Sequence, residues 1–214
     1  MKAFFKKLAV LLLLTNSFFT LTTFAQQISP EDQQKALKEA TKESEKLQKK
    51  GWLNNLEGTT IEASFIKAYE AKYTTDANDV KYYVPAFGNA FAATKEEAES
   101  IALTKCKNGM FDIMMLYFYM WNTSNDKISE TEKSQVEDAL KTAGEKIKEE
   151  YFLLNYETVA SIYRQEGDQI EFQLRIIYKQ QECKDVAKRE IRKILASKYQ
   201  ISDERAEQLL TYPK

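Results

Sequence analysis

The side chains best suited to chemistry are few, and their kinds restrict what the chain can do. Histidine is absent, which removes the commonest general base and the commonest transition-metal ligand together. Two sulfurs remain, Cys106 and Cys183. Without histidine they make a poor metal site, although an oxidising compartment would allow them to join as one disulfide. The competing reading is a buried small hydrophobe, since Cys106 shares a helical face with Ala98, Ala102 and Ile113. Paired carboxylates can hydrolyse glycosides unaided. The conspicuous acidic pairs here, Glu96-Glu97, Glu130/Glu132 and Glu149-Glu150, fall on helices, where near neighbours in sequence do not face one another. They read as caps and solubilising charge. Asp112 is the lone acid inside an apolar run and reads as its solvated side. Gly-rich phosphate loops, nucleophile elbows, metal-binding H-E-x-x-H and C-x-x-C motifs are missing. No cofactor and no catalytic residue is expected.

Binding chemistry is better represented. Residues 111–121 (FDIMMLYFYMW) are apolar on almost every side, and such a helix is buried in a core or meets something other than water. Phe111, Met114, Tyr117, Phe118 and Trp121 are the candidate apolar interaction surface, or the wall of a site for a small apolar ligand between a sheet and 110–121. The segment 179–198 holds seven basic and three acidic residues. Lys184, Lys188, Arg189, Arg192 and Lys193 form its candidate basic face, suited to an acidic partner or peripheral contact with an anionic membrane, or simply to solvent. A nucleic-acid partner is not expected, because the chain has 31 basic against 32 acidic residues and phosphate binding needs a basic excess.

The elements that position these residues follow from period and punctuation. With 214 residues, 43% hydrophobic and 29% charged, the chain is long enough to bury a core; only 6 Gly and 3 Pro favour long helices over a turn-rich all-β fold. Ser29-Pro30-Glu31-Asp32 opens a helix that Lys49-Lys50-Gly51 closes. Its apolar stripe is thin, Ala36, Leu37, Ala40 and Leu47, so it reads as a solvated arm. Ile61, Phe65, Ala68, Tyr69 and Tyr73 mark a second helix docked by aromatic contacts. Alternation in 80–93 marks a strand that Pro85 confines to an edge or bulge. Thr94 to Glu97 begins the central helix, with Ala98, Ile101, Ala102, Cys106, Met110, Ile113, Met114 and Tyr117 as its inward stripe. Ser129 to Glu132 begins another. Segments 152–164 and 169–179 flank Glu166-Gly167-Asp168 as a hairpin with one buried and one wet face, and a long helix follows from 183 to 199.

The start of the chain reads as a secretory leader: Lys2, Lys6 and Lys7, the apolar run 8–14, and Thr23 and Ala25 at the small-residue positions of a cleavage site. Cleavage after Ala25 leaves 28 basic against 32 acidic residues, an acidic exported protein without a transmembrane span. The order of strand, two helices, hairpin and helix over 80–198 resembles the LPP-twenty-like envelope lipoprotein family. The resemblance rests on 82–88 (YYVPAFG), Glu97-Ala98 and Ile101-Ala102, and 171–178 (EFQLRIIY). The chain also looks like secreted proteins of anaerobic bacteria in which a Lys-rich helix ending in Lys50-Gly51-Trp52 precedes this unit. It lacks the Cys that many members of the lipoprotein family lipidate. The resemblance implies an α+β fold in the cell envelope and transfers no catalytic residue. The expectation is therefore a leader (1–25), a helical N-terminal extension (26–78) and an α+β domain (79–214) with a three-stranded, mainly antiparallel sheet packed against long helices. The expected role is a non-catalytic protein-interaction module, periplasmic or extracellular. A carrier or sensor of a small apolar ligand held between the sheet and the central helix, and a carboxylate-dependent hydrolase, are the alternatives.

Overall fold

The computed structural model describes residues 27–211; the expected leader lies outside them. Helix α1 (Pro30–Gln48) starts where the Ser29 hydroxyl accepts from the Asp32 amide and Pro30 fills the first turn. Ala36, Ala40, Ser44 and Leu47 are buried along one stripe against α2 (Ile61–Tyr73), which Thr60 caps. The expected solvated arm is thus half of a helical hairpin. Alanines at the contact let the two axes approach, and a thin stripe is enough for a close neighbour.

The sheet is α+β in kind but has four strands, not three, all antiparallel: β1 (Leu53–Asn54), β2 (Tyr83–Ala92), β3 (Glu157–Glu166) and β4 (Gln169–Lys179), in the order β1-β3-β4-β2. The additional strand is two residues long, too short to show an alternation. Pro85 lies on β2, at the end of the sheet as its missing N–H requires. Gly167, at φ +61°, turns the β3–β4 hairpin. The helix before it runs to Leu153, so β3 opens at Glu157 rather than at 152.

Val84, Ala86, Ala90, Ala92, Phe172, Leu174, Ile176 and Tyr178 face α3 (Lys95–Ser124) and share one core with α4 (Glu130–Leu153), α5 (Gln180–Tyr199) and α6 (Asp203–Leu209). The face expected to be wet is largely covered as well. Trp52, Ile61 and Phe65 pack on Ala160 and Ile162, and Ala68 and Ala71 pack on Val159 and Ile177. A bulge between Thr158 and Ala160 brings consecutive residues of β3 under cover and breaks the simple alternation there.

The approach of α3 to β2 is set by small residues. Ala98, Ala102, Ala86 and Ala90 meet there, and a Cβ at Gly88 would overlap the main-chain carbonyl of Ala102. Since that carbonyl belongs to a 30-residue helix, relief requires the helix to shift. Gly88→Ala is expected to cost about 2–3 kcal/mol or more, read as a lower urea midpoint, whereas Gly109→Ala, with open space around it, should stabilise or leave the midpoint unchanged.

Candidate functional site

Both cysteines are free and fully buried. The Cys106 thiol donates to the Leu174 carbonyl at 3.4 Å, and Cys183 faces the Met110 sulfur at 3.9 Å, so each thiol is satisfied by a different neighbour and the disulfide considered from sequence is not formed. Burial pushes both thiols up to about 12. Beside them Tyr151 donates to the Cys183 carbonyl at 2.8 Å, while the buried Tyr178 hydroxyl has no partner.

The apolar surface expected on α3 is displaced around the helix. Met114, Phe118 and Trp121 are buried in the core, and Phe111 and Tyr117 are half-buried against it. The apolar side chains facing solvent are Ile113, Leu116, Tyr119 and Met120, together with Ile101, so Ile101 and Ile113 are not inward as the stripe suggested. A helix apolar on all sides gives no phase to its period; here the sheet and α4 together set it, the latter through Phe111 against Tyr151 and the Asn122 amide on the Lys133 carbonyl. The space considered for an apolar ligand, between the sheet and 110–121, is occupied by Met110, Met114 and the inward side chains of β4. Asp112 is exposed, as expected.

The basic face of α5 is neutralised within the fold. Arg189 bonds Glu150 and Glu190, Lys193 bonds Glu190 at 2.8 Å, and Arg192 and Lys188 pair with Glu207 of α6. Lys184 lies over the Tyr117 ring at 4.9 Å. An open hollow of about 440 Å³ between α5 and the start of α6 is lined by Lys188, Arg192 and Lys193, but also by Asp185 and Asp203. The charge excess visible in the segment is therefore offset in part by Glu150 and Asp138 of α4 and Glu207 of α6.

The most differentiated site was missed in the sequence and lies on the opposite side of the sheet. Arg175 of β4 projects under the α1–α2 hairpin. It bonds Glu43 of α1 at 2.6 Å and spreads its guanidinium over Phe65 at 4.3 Å, with Tyr69 and Phe87 each at 5.8 Å. The Tyr69 hydroxyl donates to the other oxygen of Glu43 at 2.6 Å, and burial followed by that carboxylate holds its pKa above the ordinary value. Nearby, Tyr73 and Lys72 both bond Glu39, and Tyr73 first among them keeps this carboxyl below its usual range. Farther along the face, buried Glu171 accepts from Arg164 at 2.7 Å and from the Asn89 amide at 3.2 Å.

Between α2 and β2, over β4, these residues leave a groove of about 370 Å³. Ile177, Val159 and Pro85 line its apolar surface, and Phe87, Lys72 and Arg175 its margin. Comparison with family models, with curated proteins and with solved structures finds no match. The groove has the volume of a small-ligand or side-chain pocket. The carboxylates named around it are each hydrogen-bonded to a cation or a tyrosine. Among the described residues no group of three Cys, Asp or Glu side chains could hold a metal ion, and no helix is long and apolar enough to cross a membrane. The one sequence signal that could have marked the site is Arg175 on an alternating strand opposite Phe87, an arginine and an aromatic in cross-strand contact.

Two outcomes follow from these environments. In native protein neither thiol should react with a thiol-directed reagent at pH 8, whereas both should titrate in denaturant. Glu132 joins α4 to α6. It accepts from the Ser129 amide at 2.9 Å, the largest influence, and from Arg205 at 2.6 Å, and its pKa lies below the ordinary 4.5. A carboxyl depressed on folding stabilises above its unfolded pKa, and this contribution disappears as pH falls through the folded value. The melting temperature should therefore drop as the pH goes below about 4.5, and Glu132→Gln should lessen that drop while lowering stability at pH 7.

Proposed function

We propose that the protein is an exported, non-catalytic component of the cell envelope that binds another protein. The observation supporting this most directly is the groove between α2 and β2: an apolar floor, an aromatic rim at Phe87, and cations at Lys72 and Arg175, with the neighbouring acids Glu39 and Glu43 already engaged. Such a site favours an apolar or aromatic side chain of a partner, with polar contacts at the margin. Its tyrosine hydroxyls are spent on Glu39 and Glu43, which also hold Lys72 and Arg175. The leader-like start and the resemblance to envelope lipoproteins support the compartment, and the mild acidity after cleavage agrees with a protein rather than a nucleic-acid partner.

A photo-reactive residue at Lys72 should capture a defined envelope protein, at least about tenfold above the same residue at the exposed Lys38 on α1. Excess unlabelled protein should abolish the adduct. Equal labelling from both positions, or none from Lys72, would refute the groove as the binding site. The volume also supports a second reading, a carrier of a small apolar molecule in this groove. Native mass spectrometry of protein purified from its own envelope would then show a bound mass, and its absence in undenatured protein would eliminate the carrier.

A further inference from the structure

Strand β2 ends the sheet, and its side chains are arranged symmetrically about Asn89. Main-chain groups two residues apart on a strand point the same way. The Asn89 carbonyl accepts from Lys105 Nζ at 2.8 Å, and Tyr82, of opposite parity, accepts from the Gln180 amide on the β4 side. Pro85, Phe87, Asn89 and Phe91 thus turn their main-chain groups away from the sheet, and proline, with no N–H to offer, occupies one of these outward positions. The same four residues share the face toward α2, yet the hairpin does not reach the last two aromatics, for Phe87 is 52% and Phe91 48% exposed.

We propose that β2 pairs antiparallel with β2 of a second copy about a two-fold axis at Asn89, joining two four-stranded sheets into one. In this register Asn89 opposes Asn89, and Phe87 of each chain opposes Phe91 of the other, closing two aromatic cross-strand pairs over the seam. The outward groups of Asn89, Phe87 and Phe91 then exchange ladder bonds. Pro85 lies opposite Ala93, one residue past the end of β2, where a missing donor matters least. On the other face Ile101, 37% exposed and one turn before Lys105, meets its symmetry mate.

Lys105 acts as the guard of this edge. In the single chain its ammonium covers the central carbonyl, a common protection of exposed strands. That oxygen has a second lone pair for the incoming N–H, but two Lys105 ammoniums then approach across the axis. Association is therefore opposed by like charge and strengthened by salt. Two half-exposed phenylalanines supply about 100 Å² each per chain. The two aromatic pairs thus give about 400 Å², and with the strand edges and Ile101 added the seam stands at the small end of specific interfaces, which fits a dimer in the micromolar range or weaker.

The test uses the purified full chain alone, so its result is independent of the groove-partner reading. Sedimentation equilibrium at about 100 µM should give a mass approaching two copies, and Lys105→Gln should raise the association constant several-fold. The native thiols are fully buried, so N89C can be oxidised without background. It should cross-link at least about tenfold faster than Lys38→Cys, because paired Cα atoms across a hydrogen-bonded site fall within disulfide reach. Phe87→Lys should return the chain to a monomer with an unchanged circular dichroism spectrum. A single-copy mass for both wild type and Lys105→Gln would overturn the proposal, and so would a dimer in which N89C cross-links no faster than the control.

Discussion

The close approach of α3 to β2 governs the rest of the architecture. Without a side chain at Gly88, the main chain of Ala102 can sit against the strand, and Ala98, Ala86 and Ala90 keep the separation small on either side. Once α3 is held there, Cys106, Met110 and Met114 reach into the centre under β4, α4 packs beside α3, and α5 packs in turn on α4. Small residues at this junction and large ones beyond it allow one long helix to serve two layers. Interiors as dense as organic crystals permit such a contact only where the backbone itself is unobstructed.

The second face of the sheet follows a different logic. Its central contact is ionic and aromatic: Arg175 stretched over Phe65 with its guanidinium fixed by Glu43, and Glu43 in turn held by Tyr69. An arginine suits this position because its stem and planar head cover apolar surface while its edge pairs with a carboxylate. The hairpin is thereby located over β3 and the inner side of β4, leaving the strip of β2 beyond it uncovered. The groove and the open edge are both products of a cover narrower than the sheet.

Much of the fold was legible because it depends on local chemistry. Ser29, Thr94 and Ser129 each cap the helix assigned to them, with the full reciprocal box at Ser129 and Glu132. The alternation of β2, the Pro85 edge and the Gly167 turn came from period and punctuation. What escaped reading depends on partners distant in sequence. Two residues of β1 have no pattern of their own, α1 disclosed its burial only through alanines, and the phase of 111–121 was fixed by the sheet and α4 together. The groove draws on α2, β2, β3 and β4, so none of those segments announces it alone.

The Glu43–Arg175 contact joins positions 132 residues apart, and this has a consequence for how the molecule reaches its native state. The α1–α2 hairpin is synthesised well before the β3–β4 platform it covers. Its aromatic underside, Phe65 and Trp52, meets Ala40, Leu47 and Ile61 within the hairpin but lacks Ala160, Ile162 and Arg175 until the C-terminal third arrives, and non-local closure of this kind slows folding. The layer that covers the second face of the sheet is therefore complete only when the last two strands have been made.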